Sequence, residues 1–209
     1  MSKGLAFILL IFISLVMFNW LITSLGSLSF PLSPSPFIAA HGQSQGGLTS
    51  INFSLFAKDG AGRSYITQGY GITPYSYLYP HDWHDGIDIG AVYGAPIYSP
   101  NDGIVIATGN QDNYCYHKGF GKYVAVKDPV NNLILWYAHL GTINVSPGQN
   151  IPKGIEVGTV GATGLETGVH LHFSIFKSGG FTMTPRDGCG PEPTGQDVNP
   201  LNYLGTTYN

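Results

Sequence analysis

Charge is scarce in this 209-residue chain. Only 10% of its residues are charged, 9 Lys and Arg against 12 Asp and Glu. No basic run or stripe exists, which removes the electrostatic footprint expected of a nucleic-acid partner. Helical periodicity is also missing. After residue 26 no stretch keeps a 3.6-residue apolar period through three turns, which excludes a helical bundle. No tandem repeat and no low-complexity tract falls within the body of the chain. Methionine is confined to Met1, Met17 and Met183.

What is abundant is backbone punctuation, with 29 Gly and 14 Pro. Such a composition suits short strands joined by tight turns. Candidate strands run over 65–70, 95–99, 104–108, 122–127, 133–137, 156–160 and 171–176. Turn residues bound them, as in Pro100-Asn101-Asp102-Gly103, Pro147-Gly148 and Pro152-Lys153-Gly154. Short strands at close spacing predict an all-β, compact antiparallel sheet domain.

The first 62 residues read differently. Lys3 precedes an apolar run from Leu5 to Ile22, an 18-residue segment close to the ~20 needed to span a bilayer. Residues 1–26 therefore form an N-terminal hydrophobic helix, either a cleaved export signal or an uncleaved membrane anchor. In either case the rest of the chain lies outside the cytoplasm. Residues 27–62 are Pro-rich, then Gly-rich, and read as a flexible linker in which His41 is solvated. The domain proper spans 63–180, followed by a C-terminal extension, 181–209. Export permits a disulfide between Cys115 and Cys189. That pairing is favoured over two free thiols by compartment alone, since spacing supplies no geometry.

Chemistry concentrates in the histidines. In Val169-His170-Leu171-His172-Phe173, alternation puts His170 and His172 on one strand face, with Leu171 and Phe173 on the other. Two imidazoles on an otherwise apolar strand are costly to bury without partners, and a metal is such a partner. In His84-Asp85-Gly86-Ile87-Asp88 an ideal strand would hold His84 and Asp88 about 13 Å apart, too far for one ion. A bend at Gly86 is expected to bring them together. Two His and one carboxylate, with a fourth position left for water, describe a catalytic zinc site. His139, at the end of the 133–137 strand, is a second candidate for chemistry. His81 reads as a loop residue. Of Tyr70, Tyr75, Tyr77 and Tyr79, packing is favoured over lining a groove.

Taken in order, these segments resemble the lysostaphin-type zinc endopeptidases, the M23 family of peptidoglycan-cleaving enzymes. The likeness covers roughly residues 65–178. It runs through Gln68-Gly69-Tyr70-Gly71, the His84–Asp88 segment, Gly94-Ala95-Pro96-Ile97, Tyr137-Ala138-His139-Leu140, Gly161-Ala162-Thr163-Gly164 and Thr167-Gly168-Val169-His170-Leu171-His172-Phe173. The resemblance implies an antiparallel β domain with a cleft across one sheet. It implies one Zn2+ held by His84, Asp88 and His172, and His139 and His170 as catalytic residues. The implied substrate is a peptide of bacterial peptidoglycan, met outside the cytoplasm, by a secreted protein or one tethered through a single N-terminal span.

The chain departs from the family pattern in several places. Val169 stands where Pro is usual, and Glu166 near a position often held by Ser. The 110–119 stretch is long, and the 184–198 tail is atypical. If bridged by the cysteines, loop and tail could wall one side of the cleft. Three rival readings compete. A non-catalytic regulator of other wall hydrolases would be expected to lose some of the five site positions, all of which are filled. A biotinyl- or lipoyl-type carrier needs a hairpin-tip Lys between methionines, which the chain lacks. A structural envelope protein leaves the histidines unexplained. Oligomeric state is open.

Overall fold

The computed structural model describes residues 55–56 and 64–204. The expected N-terminal hydrophobic helix over 1–26, His41, and the 27–62 linker apart from Leu55 and Phe56 lie outside the described residues. Among those described, no helix is long and apolar enough to cross a membrane.

The fold is antiparallel β throughout. Its strands are β1 (Tyr65–Gln68), β2 (Gly86–Gly90), β3 (Pro96–Tyr98), β4 (Gly103–Asn110), β5 (Lys122–Asp128), β6 (Leu133–Ala138) and β7 (Leu140–Ile143). They continue with β8 (Asn150–Ile151), β9 (Glu156–Val160), β10 (His170–Lys177), β11 (Thr182–Arg186), β12 (Gly190–Thr194) and β13 (Asp197–Val198). The principal sheet runs β1-β2-β10-β6-β5-β4-β8, with β13 also pairing to β10. A smaller sheet, β3-β9-β7, and a two-stranded ribbon, β11-β12, complete the set.

Alternation along the central strands sorts side chains into two layers. Ile87, Ile89, Leu133, Leu135, Tyr137, Leu171, Phe173 and Ile175 belong to one core with Ile97, Leu140, Val157 and Val160 of the smaller sheet. Burying each large apolar side chain of this kind contributes about 1.5–3 kcal/mol. Leu55, Tyr203 and Leu204 join the same core. Tyr123, Ala125, Ile134, Trp136, Ala138 and Phe176 form a separate cluster, against which Phe120, Phe181 and Met183 pack.

Three segments differ from the sequence expectation. β2 is a strand where a bend at Gly86 is expected; both its faces are buried, and its neighbours leave no room for larger residues at Gly86 and Gly90. β7 follows β6 after one residue, His139, whose left-handed φ of 59° turns the chain sharply. The β11–β12 ribbon holds Pro185, Pro191 and Pro193. Prolines fit there because, in a two-stranded ribbon, alternate residues point their N–H positions away from the partner strand. Cys115 and Cys189 form a disulfide, tying this ribbon to the loop before β5.

Candidate metal centre and its cleft

β10 sits between β2 and β6, so its polar face is flanked on both sides. The register sets His172 directly opposite Asp88 and His170 opposite Gly90. On the other side His172 faces Ala138, the residue before His139. His84 precedes β2 and exchanges backbone hydrogen bonds with Gly71 (2.8 and 3.1 Å).

His84 and Asp88 meet by a route other than the expected bend at Gly86. Gly86 opens β2 in extended backbone and is absent from the left-handed glycines. The ladder pairs Gln68 with Asp88 and Gly71 with His84, so three steps on one strand oppose four on the other. The extra residue acts as a bulge, which bends a strand and shortens its span. Gly86 has a different task. A Cβ there would lie 2.6 Å from the Phe173 carbonyl oxygen and Ser174 Oγ, and 3.0 Å from the His172 ring. Glycine leaves the space that the imidazole occupies.

Three ligand atoms converge. His84 Nε2 lies 3.0 Å from His172 Nδ1. Asp88 Oδ1 is 3.2 Å from His84 Nε2 and 3.0 Å from His172 Nδ1. All three residues are buried. Their outward bonds fix which ring nitrogens face inward. A carbonyl oxygen only accepts, so His84 donates through Nδ1 to the Gly69 carbonyl at 2.6 Å, and its Nε2 carries a lone pair. His172 turns Nε2 to Ser174 Oγ at 2.7 Å and to the Asp85 carboxylate at 3.2 Å, so its Nδ1 points into the cluster. Two imidazole lone pairs and a carboxylate oxygen at this separation repel unless a cation or proton lies among them. Tetrahedral bonds near 2.0 Å space ligand atoms about 3.3 Å apart, and the observed triangle fits such an ion. Among the described residues these three alone form a candidate metal-holding group.

His139 and His170 stand beside the triangle, their ring centroids 4.7 Å apart. His139 donates through Nδ1 to the Thr163 carbonyl at 2.7 Å, and His170 through Nδ1 to the Gly168 carbonyl at 2.8 Å. Each keeps Nε2 free, and that of His170 lies 3.6 Å from Asp88 Oδ1. Burial, then the neighbouring His170 and His172, push the His139 pKa down to about 3, so its imidazole is neutral at physiological pH. Burial also pushes His172 down, but Asp85 and Asp88 outweigh it and hold its pKa up to about 10. Asp88 is buried too, yet His172 and His84 hold its carboxyl well below the usual range.

The other sequence candidates fall outside the cluster. His81 occupies an exposed turn with a left-handed φ of 61° and lines the neighbouring cleft. Tyr79 stacks on His84 at 5.1 Å and Tyr70 packs edge-on against Trp83, whereas Tyr75 and Tyr77 are exposed. Sequence reasoning did not single out Asp85 and Ser174. Ser174 shares the parity of His170 and His172 and was within reach of the same alternation. Asp85 had no such signal, because the bulge alone turns it towards His172.

The family model of peptidase family M23 matches residues 82–185. That stretch carries the converging triangle and both neighbouring histidines. This part of the chain belongs to peptidase family M23. Over 96 residues the chain is 35% identical to the peptidoglycan DD-endopeptidase ShyA of Vibrio cholerae, covering 46% of this chain and 21% of that protein. Over 109 residues it is 37% identical to the uncharacterized lipoprotein YgeR of Escherichia coli, covering 52% and 40%. The chain thus spans well under half the length of these relatives. Among solved structures, the catalytic domain of a mutant of the prophage-encoded M23 protein EnpA from Enterococcus faecalis aligns with a TM-score of 0.53 at 27% identity, over 75% of this chain and all of that one. A zinc-containing peptidase from Vibrio cholerae aligns with a TM-score of 0.51 at 27% identity, over 69% and 39%. The M23 domain here therefore has the fold of its family.

Proposed function

We propose that this protein is a zinc-dependent endopeptidase that hydrolyses peptide bonds in bacterial peptidoglycan and works in the cell envelope. One observation carries the reading. His84 and His172 each anchor one ring nitrogen outward and turn the other, with Asp88 Oδ1, towards a single point. Membership of a peptidase family supports it, as does the activity named for ShyA.

His84 Nε2, His172 Nδ1 and Asp88 Oδ1 would hold the ion. Zinc bound there supplies Lewis acidity at the scissile carbonyl and a bound water whose pKa falls towards ~7. His139 and His170 handle protons. His139 lines the cleft, and in both rings Nδ1–H is pinned to a backbone carbonyl, which fixes tautomer and ring orientation. One takes the proton of the attacking water on its Nε2, and the other, entering the reaction with Nε2 protonated, delivers that proton to the leaving amine.

The test is digestion of purified peptidoglycan by the full chain, with and without a chelator, alongside zinc content by elemental analysis. The expected outcome is one zinc per chain, released peptides that vanish with the chelator and return with added zinc, and none from His172→Ala. A protein that binds wall peptides but neither holds zinc nor releases fragments would instead be the non-catalytic regulator.

A further inference from the structure

The cleft beside the triangle has a volume of about 630 Å³, within the range of small-ligand and peptide sites. Its inner end reaches His139, His172 and Asp85. One side is the Leu78–Trp83 segment. A second wall is Arg186 with the consecutive residues Glu192–Gly195, and Asp197 beyond them. The family match ends at residue 185, so this second wall is built entirely from sequence outside it.

The wall is braced from several directions. The Cys115–Cys189 disulfide joins it to the loop before β5. The buried Gln111 side chain donates to the Pro191 carbonyl at 2.8 Å and accepts from Phe120 N–H at 2.6 Å. The Phe120 carbonyl in turn accepts from His139 N–H at 3.0 Å. At the far end, Asp197 Oδ2 accepts from Trp83 Nε1 at 2.8 Å and so links the two walls. A surface fixed before binding loses little entropy when a ligand arrives.

We infer that the β11–β12 ribbon is a substrate-binding wall, holding one flank of an extended peptide against the Leu78–Trp83 segment next to the scissile bond. Three consecutive residues of β12, Glu192–Thr194, line the cleft together with Gly195 after them, a continuous stretch of backbone beside which an extended ligand can lie. The surface combines apolar Leu78, Trp83, Phe120 and Pro193 with the Arg186–Glu192 ion pair at 3.2 Å. Apolar contact supplies area, while the pair supplies polar contacts that fix orientation. The inference rests on the peptidase reading for the identity of the ligand.

The experiment compares the full zinc-loaded chain with Arg186→Ala/Glu192→Ala, and with Cys115→Ser/Cys189→Ser. Stem peptides released from bacterial peptidoglycan and graded in length serve as probes, and both cleavage kinetics and binding by calorimetry are read. The ion-pair variant removes two partly exposed side chains together and leaves the fold intact. For it we expect KM and Kd to rise about tenfold with kcat within about threefold, zinc content unchanged, and the penalty confined to peptides long enough to reach the wall. Equal affinity of variant and parent for every length overturns the inference, as does a loss in kcat alone. If the parent binds these peptides without cleaving them, the enzyme reading falls, while the length-dependent difference in Kd still decides the role of the wall.

Discussion

β10 carries opposite chemistries on its two faces. Leu171, Phe173 and Ile175 point into the core, where each needs only the exclusion of water and a good fit. His170, His172 and Ser174 point the other way, where each polar atom needs a particular partner at a particular distance. The apolar face tolerates a change of neighbour if volume is kept. The polar face does not, since a buried imidazole without its partners costs more than it returns. One strand thus supports stability on one side and chemistry on the other, and substitutions should separate the two.

The cleanest break pairs two adjacent residues. His172→Ala should lower peptidoglycan cleavage by at least about 1000-fold, because the several kcal/mol of charge stabilisation from the metal disappear with its ligand. Zinc content should fall in parallel, with the fold retained by circular dichroism. Phe173→Ala should do the reverse, costing about 3–5 kcal/mol in denaturant unfolding while the folded fraction keeps its zinc. If Phe173→Ala were the variant that lost the metal at full stability, the division between faces would be wrong.

Gly86→Ala should injure both faces moderately. The added methyl would meet the Phe173 backbone and the His172 ring together. Overpacking of this kind costs about 1–3 kcal/mol, and displacement of the imidazole should weaken zinc retention as well. An alanine variant with parental unfolding midpoint and zinc affinity would show that the close approach is not what selects glycine here.

Much of this arrangement was legible in the sequence, and the parts that were not share a cause. The period of two in 170–176 placed two histidines on one face because that rule is local. β4, β5, β6, β9 and β10 were each found to within a few residues by alternation and turn chemistry. β2 escaped because Gly86 answers to Phe173, Ser174 and His172 of β10, more than 80 residues along the chain, and Gly90 to Tyr65 and Thr67 of β1. The β11–β12 ribbon escaped because its prolines suppress a strand reading, while a disulfide to residue 115 and the Gln111 side chain hold it in place. Asp85 was missed for a similar reason, since a bulge against β1 directs it at His172. What sequence does not carry is the effect of distant backbone on a short segment.

Asp85 allows a finer test of the polar face. Its carboxylate accepts from His172 Nε2 and so favours the tautomer whose Nδ1 lone pair faces inward. Groups that orient a metal-ligating histidine in this way are worth about 10–100-fold in metal affinity. Asp85→Ala should therefore weaken zinc binding by about that factor in a chelator competition, and Asp85→Asn, which keeps an acceptor oxygen, should recover part of it. Identical zinc affinities for the parent and both variants would assign the orientation of His172 to Ser174 alone.

The gentlest probe is pH applied to the metal-free chain. The folded pKa of His172 is raised to about 10, so its stabilisation is complete below the unfolded value near 6.5 and is lost as pH climbs towards 10. His139 acts in the other direction. Its folded pKa is depressed to about 3, so the unfolded chain takes up a proton that the folded one refuses, and stability declines as pH drops from 6.5 towards 3. Metal-free stability should accordingly crest near pH 6.5. Zinc requires His172 Nδ1 unprotonated, so the loaded protein should lose the declining limb above pH 6.5, and zinc affinity should rise with pH across the same interval. Denaturant midpoints measured from pH 5 to 10, with and without zinc, check both statements. A metal-free curve that is flat from 6.5 to 10 would mean that Asp85 and Asp88 do not hold a proton on His172, and that the polar face of β10 is assembled by the metal rather than before it.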